Sequence, residues 1–228
     1  MIYTLNNNHL IQEKTMKVIL VNGSPHEHGC TYTALTEIKN TLEQEGVSAD
    51  IFWIGTKPLA GCIACKKCFT LGKCIFQDRV NEFLEIAGNF DGYVFGSPVH
   101  WAAAGGAITS FMDRAFYAGM NGGHDIFYLK PAAAVLSARR AGTTAAFDQL
   151  NKYFTLLQMP VISSQYWNMV HGATPDDVRQ DIEGLQTMRT LARNMAYFLK
   201  CKEAGQKNGV PLPERESIIY TNFIKKAE

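Results

Sequence analysis

The chain has 228 residues, which is enough for one α/β domain with a sizeable buried core. Hydrophobic residues make up 46% and charged residues 19% of the sequence, and this composition excludes an intrinsically disordered chain. The formal net charge of +1 offers no basic field for nucleic acid, so we expect no nucleic-acid partner.

The sequence also lacks the signals of membrane association. No window approaches the run of roughly 18 apolar residues that a membrane helix needs, so we expect no membrane partner. The polar first 15 residues lack the apolar stretch of a signal peptide, which predicts a cytoplasmic protein. We expect an N-terminal extension over residues 1–15, one domain over 16–201 and a C-terminal tail over 202–228.

Short apolar runs alternate with helical patterns along the chain. The first run, Lys17–Asn22, predicts a strand buried on both faces, and Leu35, Ile38 and Leu42 then recur at helical spacing up to Gly46. By the same criteria we predict strands at 49–54, 92–95 and 132–136 and a fifth strand that begins at 161–163. We predict helices at about 78–87, from about 105, from after Thr143 to about 157 and from about 175 to 201.

Five strands that alternate with five helices predict one parallel sheet with helices on both faces. Thr174 and Pro175 form a good start for the last helix. Right-handed crossovers place all loops that follow the strands at one edge of the sheet. Ligands bind at that edge, at the point where the strand order reverses.

The loop that follows the first strand has the chemistry of a phosphate site. Hydroxyl groups come from Ser24, Thr31 and Thr33, Gly29 permits close backbone approach, and the following helix supplies free amide groups at its N-terminus. The spacing fits neither a Walker loop nor a dinucleotide fingerprint. An ordinary turn with a helix cap is the alternative interpretation.

Three motifs stand at the predicted carboxyl ends of strands: GSP at 23–25 followed by a polar loop, GSPVHW at 96–101 and SARRAG at 137–142. Over roughly residues 16–200, the chain resembles the NADPH-dependent FMN reductase branch of the flavodoxin-like proteins. The resemblance implies a flavodoxin-like three-layer α/β sandwich with a five-stranded parallel sheet in the order 2-1-3-4-5, helices on both faces and FMN as cofactor.

The resemblance also assigns the contacts with FMN. It places the phosphate among Ser24, His26, Cys30, Thr31 and Thr33. It lines the flavin ring and ribityl chain with Pro98, Val99, His100 and Trp101, and covers the far side of the ring with Ser137, Ala138, Arg139 and Gly142. The alternatives are an edge-of-core aromatic for Trp101 and a solvated loop cation for Arg139. FMN carries the redox chemistry, so we assign no catalytic residue, and His100 and His124 are only candidate hydrogen-bond donors.

Four of the six cysteines, Cys62, Cys65, Cys68 and Cys74, form a compact C-x-x-C-x-x-C-x₅-C motif. Four thiolates at such spacing suit a [4Fe–4S] cluster, and four thiolates also suit zinc. The spacing resembles that of the iron–sulfur flavoproteins, which belong to the flavodoxin-like class. Flanking lysines are expected to lower the thiol pKa values, which also favours a redox-active thiol loop without metal, so three interpretations remain open.

The resemblance implies an FMN-dependent NAD(P)H oxidoreductase that reduces a flavin, a quinone or another small electron acceptor. The alternative is an iron–sulfur flavoprotein that carries electrons to a protein redox partner. Carriers of this kind are usually strongly acidic, so the nearly neutral charge favours the enzyme. A third, weaker interpretation is a non-redox protein that binds a phosphate ligand. By analogy we expect a homodimer or homotetramer, with the aromatic stretch at 111–127 as a candidate interface.

Overall fold

The computed structural model describes residues 15–123, 125–221 and 223. The expected N-terminal extension, apart from Thr15, and His124 lie outside the described residues. The described chain forms six strands and seven helices: β1 Lys17–Asn22, α1 Cys30–Gln44, β2 Ser48–Trp53, α2 Cys68–Leu71, α3 Arg79–Ala87, β3 Gly92–His100, β4 Ala103–Ala104, α4 Gly106–Asn121, β5 Ala132–Ala138, α5 Thr143–Leu156, β6 Met169–His171, α6 Pro175–Gln180 and α7 Ile182–Lys207.

Five parallel strands form the central sheet in the order β2-β1-β3-β5-β6. The two-residue strand β4 pairs antiparallel with the end of β3 and lies off this path. Without β4, the order along the chain is 2-1-3-4-5, so the predicted fold class and strand order are confirmed. The order reverses between β1 and β3, and the loops after these two strands therefore flank the expected ligand crevice.

Each face of the sheet carries its own hydrophobic core. Ile19 and Val21 of β1 pack on the side of α3, α4 and α5, whereas Val18 and Leu20 pack on the side of α1 and α7. Burial on both faces explains why the strands read as continuous apolar runs rather than as an alternating pattern. Among the described helices, none is both long enough and apolar enough to cross a membrane.

The predicted start of the fifth strand at 161–163 was wrong, because the strand begins at Met169. Val161 makes only an isolated bridge to Ala132, and the fifth parallel strand is β6. Between them the Ser164 hydroxyl donates a hydrogen bond to the Asn168 side-chain oxygen, and the Asn168 amide donates to the carbonyl oxygen of Ala134. These side-chain bonds fold the chain into a loop because they replace the backbone ladder that a longer strand would form.

The predicted single helix at 175–201 is two helices, α6 and α7. Thr174 caps α6 as expected and forms a capping box with Asp177. Hydrogen bonds from the backbone amides of Thr174 and Ala173 lower the pKa of Asp177. The chain breaks at Asp181, whose carboxylate accepts hydrogen bonds from the backbone amides of Gly184 and His171. Helix α7 then continues six residues past the expected end at 201.

The aromatic stretch at 111–127 contributes mainly to the chain's own core. Phe111, Phe116 and Phe127 are buried there, and Phe83 and Phe116 each form edge-on contacts with other rings of this group. Aromatic rings pack most favourably in such offset or edge-on pairs. These rings therefore stabilise the domain itself, and an interface through the half-buried Tyr117 and Met120 stays a prediction.

Candidate functional site

The N-terminus of α1 is open toward the carboxyl edge of the sheet. Gly29 is the N-cap residue, no side chain caps the helix, and no acidic residue lies in its first turn. The first intrahelical bond from this end is donated by the amide of Thr33 to the carbonyl oxygen of Gly29. The preceding amides of the first turn are thus available to an anion, and the helix dipole adds positive potential there.

Hydrogen bonds tie the loop before α1 to the neighbouring strands. The buried hydroxyl groups of Thr31 and Ser137 lie 2.8 Å apart, which joins α1 to the end of β5. The indole of Trp53, at the end of β2, donates to the carbonyl oxygen of Ser24 at 2.8 Å. The guanidinium of Arg79 in turn donates hydrogen bonds to the carbonyl oxygen of Trp53. The loop is therefore fixed on both sides before any ligand binds.

Trp101 stands at the tip of the hairpin that joins β3 to β4. Val99 pairs with Ala104 and His100 with Ala103, so Trp101 occupies the first position of a two-residue turn. Its φ of 61° lies in the left-handed region that glycine favours, and its side chain is 100% exposed. The indole is not an edge-of-core aromatic. Its backbone is strained, and the described residues provide no packing partner for its ring.

The third loop lies close against the hairpin. Gly142 caps α5 with a φ of 93°, and a Cβ atom at this position would come within 2.9 Å of the Val99 side chain. Only a glycine accommodates both the backbone conformation and the contact. The loops after β3 and β5 therefore meet at this point, on the same edge of the sheet as the open end of α1.

The structure brings the three predicted flavin-binding loops together at one edge. Their side chains differ in exposure, and whether they contact FMN stays a prediction. Ser24, Thr31, Ser137 and Ala138 are buried, Cys30, Thr33, Pro98, Val99 and Gly142 are half-buried, and His26, His100, Trp101 and Arg139 are exposed.

The cysteine motif forms a second site, in the segment that follows β2. Cys62, Cys65, Cys68 and Cys74 all line one shallow pocket, together with Arg114 of α4. Across the described ranges, however, no group of three or more His, Cys, Asp or Glu side chains is arranged to hold a metal ion. The four thiols thus share one space without a ready-made ligand geometry.

Cys74 is the most firmly held of these four residues. Its backbone amide donates to the side-chain oxygen of Asn81, and the Asn81 amide donates back to the Cys74 carbonyl oxygen, both at 2.9 Å. The Nε of Arg114 donates to the Cys74 sulfur at 3.2 Å. Cys68 lies buried at the start of α2, whereas Cys62 and Cys65 are exposed.

In each of the two sites, burial is the main influence on the pKa of one cysteine. Burial raises the pKa of Cys68, and the neighbouring Cys62 and Cys65 raise it further, contrary to the expected lowering by lysine. Burial also raises the pKa of Cys30, whose thiol lies 3.6 Å from the carbonyl oxygen of Gly172. Burial by itself would lower the pKa of Arg114. The hydrogen bonds from Arg114 to Asp78 and Cys74 outweigh burial, so the pKa is raised.

Sequence reasoning missed Arg114 and Asn81. Both lie on the buried faces of amphipathic helices, Arg114 between Phe111 and Ala118 and Asn81 beside Val80. A charged or amide side chain at such a position signals a buried polar network, because an unpaired polar group there would be costly. Trp53 gave no such signal, since it continues the apolar pattern of its strand.

The chain is similar to known flavoproteins in sequence and in fold. It is 30% identical over 194 residues to an iron–sulfur flavoprotein of Methanocaldococcus jannaschii, an alignment that covers 81% of this chain and 98% of the relative. A flavodoxin from the Archaea superposes with a TM-score of 0.54 at 16% identity, over 81% of this chain and 99% of that one. FerB, a flavoenzyme NAD(P)H:(acceptor) oxidoreductase of Paracoccus denitrificans, superposes with a TM-score of 0.59 at 11% identity, over 82% and 98%.

These superpositions establish the fold alone, because the identities are low. The sequence match is more specific, since residues 16–174 fit the family described as NADPH-dependent FMN reductase. That segment contains all three loops at the sheet edge and the cysteine motif, and it covers more than half of the chain. The protein therefore belongs to the NADPH-dependent FMN reductase family.

Proposed function

We propose that the chain is an FMN-dependent NAD(P)H oxidoreductase that reduces a flavin, a quinone or another small acceptor. The observation that carries the proposal is the uncapped N-terminus of α1, which is framed by Ser24 and by the bonded pair Thr31 and Ser137. Open amides of this kind suit the phosphate of FMN. Family membership and the fold likeness to FerB support the same conclusion.

The residues around the crevice suit a flavin in other respects. The exposed indole of Trp101 offers an aromatic face, and Arg139 supplies a cation at the end of β5. FMN, when bound, would supply hydride transfer from NAD(P)H and pass the electrons to the acceptor. The protein's part is to fix the phosphate, orient the ring and keep the rest of the edge open to two substrates in turn.

The test is to purify the protein without oxygen, record its visible spectrum and measure NADPH oxidation with a small quinone. We expect two flavin absorption bands and quinone-dependent turnover that stops when FMN is removed and returns when it is added back. A colourless protein that takes up no added FMN would contradict the proposal. A yellow protein without turnover would favour the electron carrier.

A second candidate function is an iron–sulfur flavoprotein that relays electrons to a protein partner. The specific observation in its favour is that all four cysteines of the motif line one pocket. Zinc needs thiolates about 2.3 Å from one point, which the arrangement of the described residues does not offer. A [4Fe–4S] cluster spreads its four ligands over four iron atoms, so it does not need the four sulfurs to converge on one point. Iron and sulfide assays on the same sample test this, with about four irons per chain expected.

We also propose a homodimer or homotetramer in which the C-terminal tail packs on a second copy of the chain. Arg215 contacts Asp125 and lies over the ring of Tyr128, which anchors the tail to its own domain. Beyond this anchor Ile219 is 91% and Phe223 92% exposed, and the part of the chain that the structure describes leaves these apolar side chains uncovered. Light scattering should give a multiple of the 25.3 kDa chain mass, and fewer subunits per particle for a variant that ends at 209. An unchanged number of subunits would contradict the role of the tail.

A further inference from the structure

Arg114 is a buried charge outside the three loops of the candidate flavin site. It lies on α4, facing the pocket of the cysteine motif, and its side chain is 1% exposed. Burial of an unpaired guanidinium would be strongly unfavourable, so its partners show what it is placed to do.

Each nitrogen of the guanidinium has a defined partner. The two terminal nitrogens form a bidentate pair with Asp78, at 2.7 and 2.9 Å, and also approach the carbonyl oxygens of Ala60 and Phe76. The remaining donor, Nε, points at the sulfur of Cys74 at 3.2 Å. Asp78 is itself fixed, because it caps α3 by accepting from the amide of Val80.

The bond to sulfur is not needed for the ion pair. A bidentate guanidinium–carboxylate pair is complete with the terminal nitrogens alone. A thiol is a weak hydrogen-bond acceptor, whereas a metal-bound cysteine sulfur is a strong one. An Nε–H group held 3.2 Å from the sulfur therefore suits Cys74 as a metal ligand.

We propose that Arg114 is a positioning residue for the cluster: it holds the Cys74 sulfur as a ligand and raises the reduction potential of the cluster through the Nε–H···S hydrogen bond. The proposal rests on the iron–sulfur interpretation of the proposed function. Hydrogen bonds to cluster sulfurs and nearby positive charge stabilise the more negative, one-electron-reduced state, which makes the cluster easier to reduce.

The other three ligands differ from Cys74 in this respect. Within the described chain, Arg114 is the arginine that lines the pocket, and its hydrogen bond to a cysteine sulfur reaches Cys74 alone. Asn81 fixes the backbone of the same cysteine from the other side. The iron bound by Cys74 would therefore be the most rigidly held and the most strongly polarised of the four.

The experiment compares Arg114→Lys and Arg114→Gln in the full chain, with the cluster reconstituted without oxygen and titrated with dithionite. We expect Arg114→Gln to disfavour the reduced cluster about tenfold, which corresponds to about 59 mV for one electron. Arg114→Lys keeps the charge but loses the fixed donor, so we expect a smaller shift in the same direction. Arg189→Lys is the matched control, because Arg189 of α7 pairs with Glu37 of α1 on the other face of the sheet, and it should leave the potential unchanged.

Because Arg114→Gln leaves Asp78 without its ion-pair partner and so endangers folding, a second measurement uses the wild-type protein. Electron spin echo spectroscopy of the reduced wild-type cluster should show a ¹⁵N coupling when arginine is labelled with ¹⁵N. Unchanged potentials in a folded Arg114→Lys protein, or absence of the ¹⁵N coupling, would overturn the role of Arg114 while the cluster itself stands. Wild-type protein that retains no iron or sulfide after reconstitution would instead overturn the cluster, and with it this role.

Discussion

The substitution Thr33→Glu should weaken FMN binding about 30-fold and leave riboflavin binding unchanged. Thr33 is half-buried in the first turns of α1, and its hydroxyl donates to the carbonyl oxygen of Gly29. A carboxylate there would lie near the phosphate and repel it by about 2 kcal/mol at an intermediate effective dielectric. Riboflavin lacks the phosphate, so fluorescence titration with both ligands isolates the charge effect.

The same substitution should have the opposite effect on the unliganded protein. The first turn of α1 contains no acidic residue, and a carboxylate near a helix N-terminus typically stabilises it by about 0.3–1 kcal/mol. We therefore expect the melting temperature of the ligand-free Thr33→Glu protein to equal or exceed that of wild type. Simple damage to the fold would lower both the melting temperature and the affinity for FMN. A lower affinity together with an unchanged or higher melting temperature therefore excludes such damage.

Two further variants control for size and for charge alone. Thr33→Gln has nearly the size of the glutamate without the charge, and Asn40→Glu adds a charge at an exposed position about two turns along the same helix. Both should bind FMN within about threefold of wild type. If Thr33→Glu and Thr33→Gln bind FMN equally well, the phosphate does not lie at this helix, and the flavin site must be placed elsewhere.

Much of the fold could be predicted because the apolar pattern is strong where strands are buried on both faces. Strand β1 matches its predicted bounds, and Ala132 and Gly92 begin strands as expected. The errors arose where hydrogen bonds from one polar side chain determine the conformation of the backbone. Asn168 displaces the last strand, and Asp181 divides the last helix by accepting two backbone amides. Sequence periodicity does not report such tertiary bonds, because the partners are distant in sequence or change with local geometry.

The candidate site was predictable at the level of loops but not of contacts. Sequence motifs located the three loops, and parallel topology implied that they share an edge. The bond between Thr31 and Ser137 and the exposed hairpin tip of Trp101 depend on how strands β1, β3 and β5 align, which only the structure supplies. The hydrogen bond from Arg114 to Cys74 joins residues that are 40 positions apart, so it too depends on the tertiary structure and could not be predicted from the sequence.

The substitutions Cys68→Ser and Cys74→Ser should abolish iron retention without loss of FMN. In both variants the motif loses one of four ligands, and we expect iron to fall from about four per chain to below one. The flavin loops lie on residues outside the motif, so flavin content should stay within about 20% of wild type if the two sites bind their cofactors independently. Iron, sulfide and flavin assays on one anaerobic sample measure all three quantities.

Cys201→Ser is the matched control, because this cysteine is exposed on α7, far along the chain from the motif. It should retain iron and flavin at wild-type levels. The same set of proteins separates the two candidate functions, since an enzyme whose flavin reacts directly with a small acceptor keeps its NADPH–quinone turnover without a cluster. If turnover falls more than tenfold in Cys74→Ser while FMN remains bound, electrons leave the flavin through the cluster. The protein would then be an electron relay rather than a simple reductase.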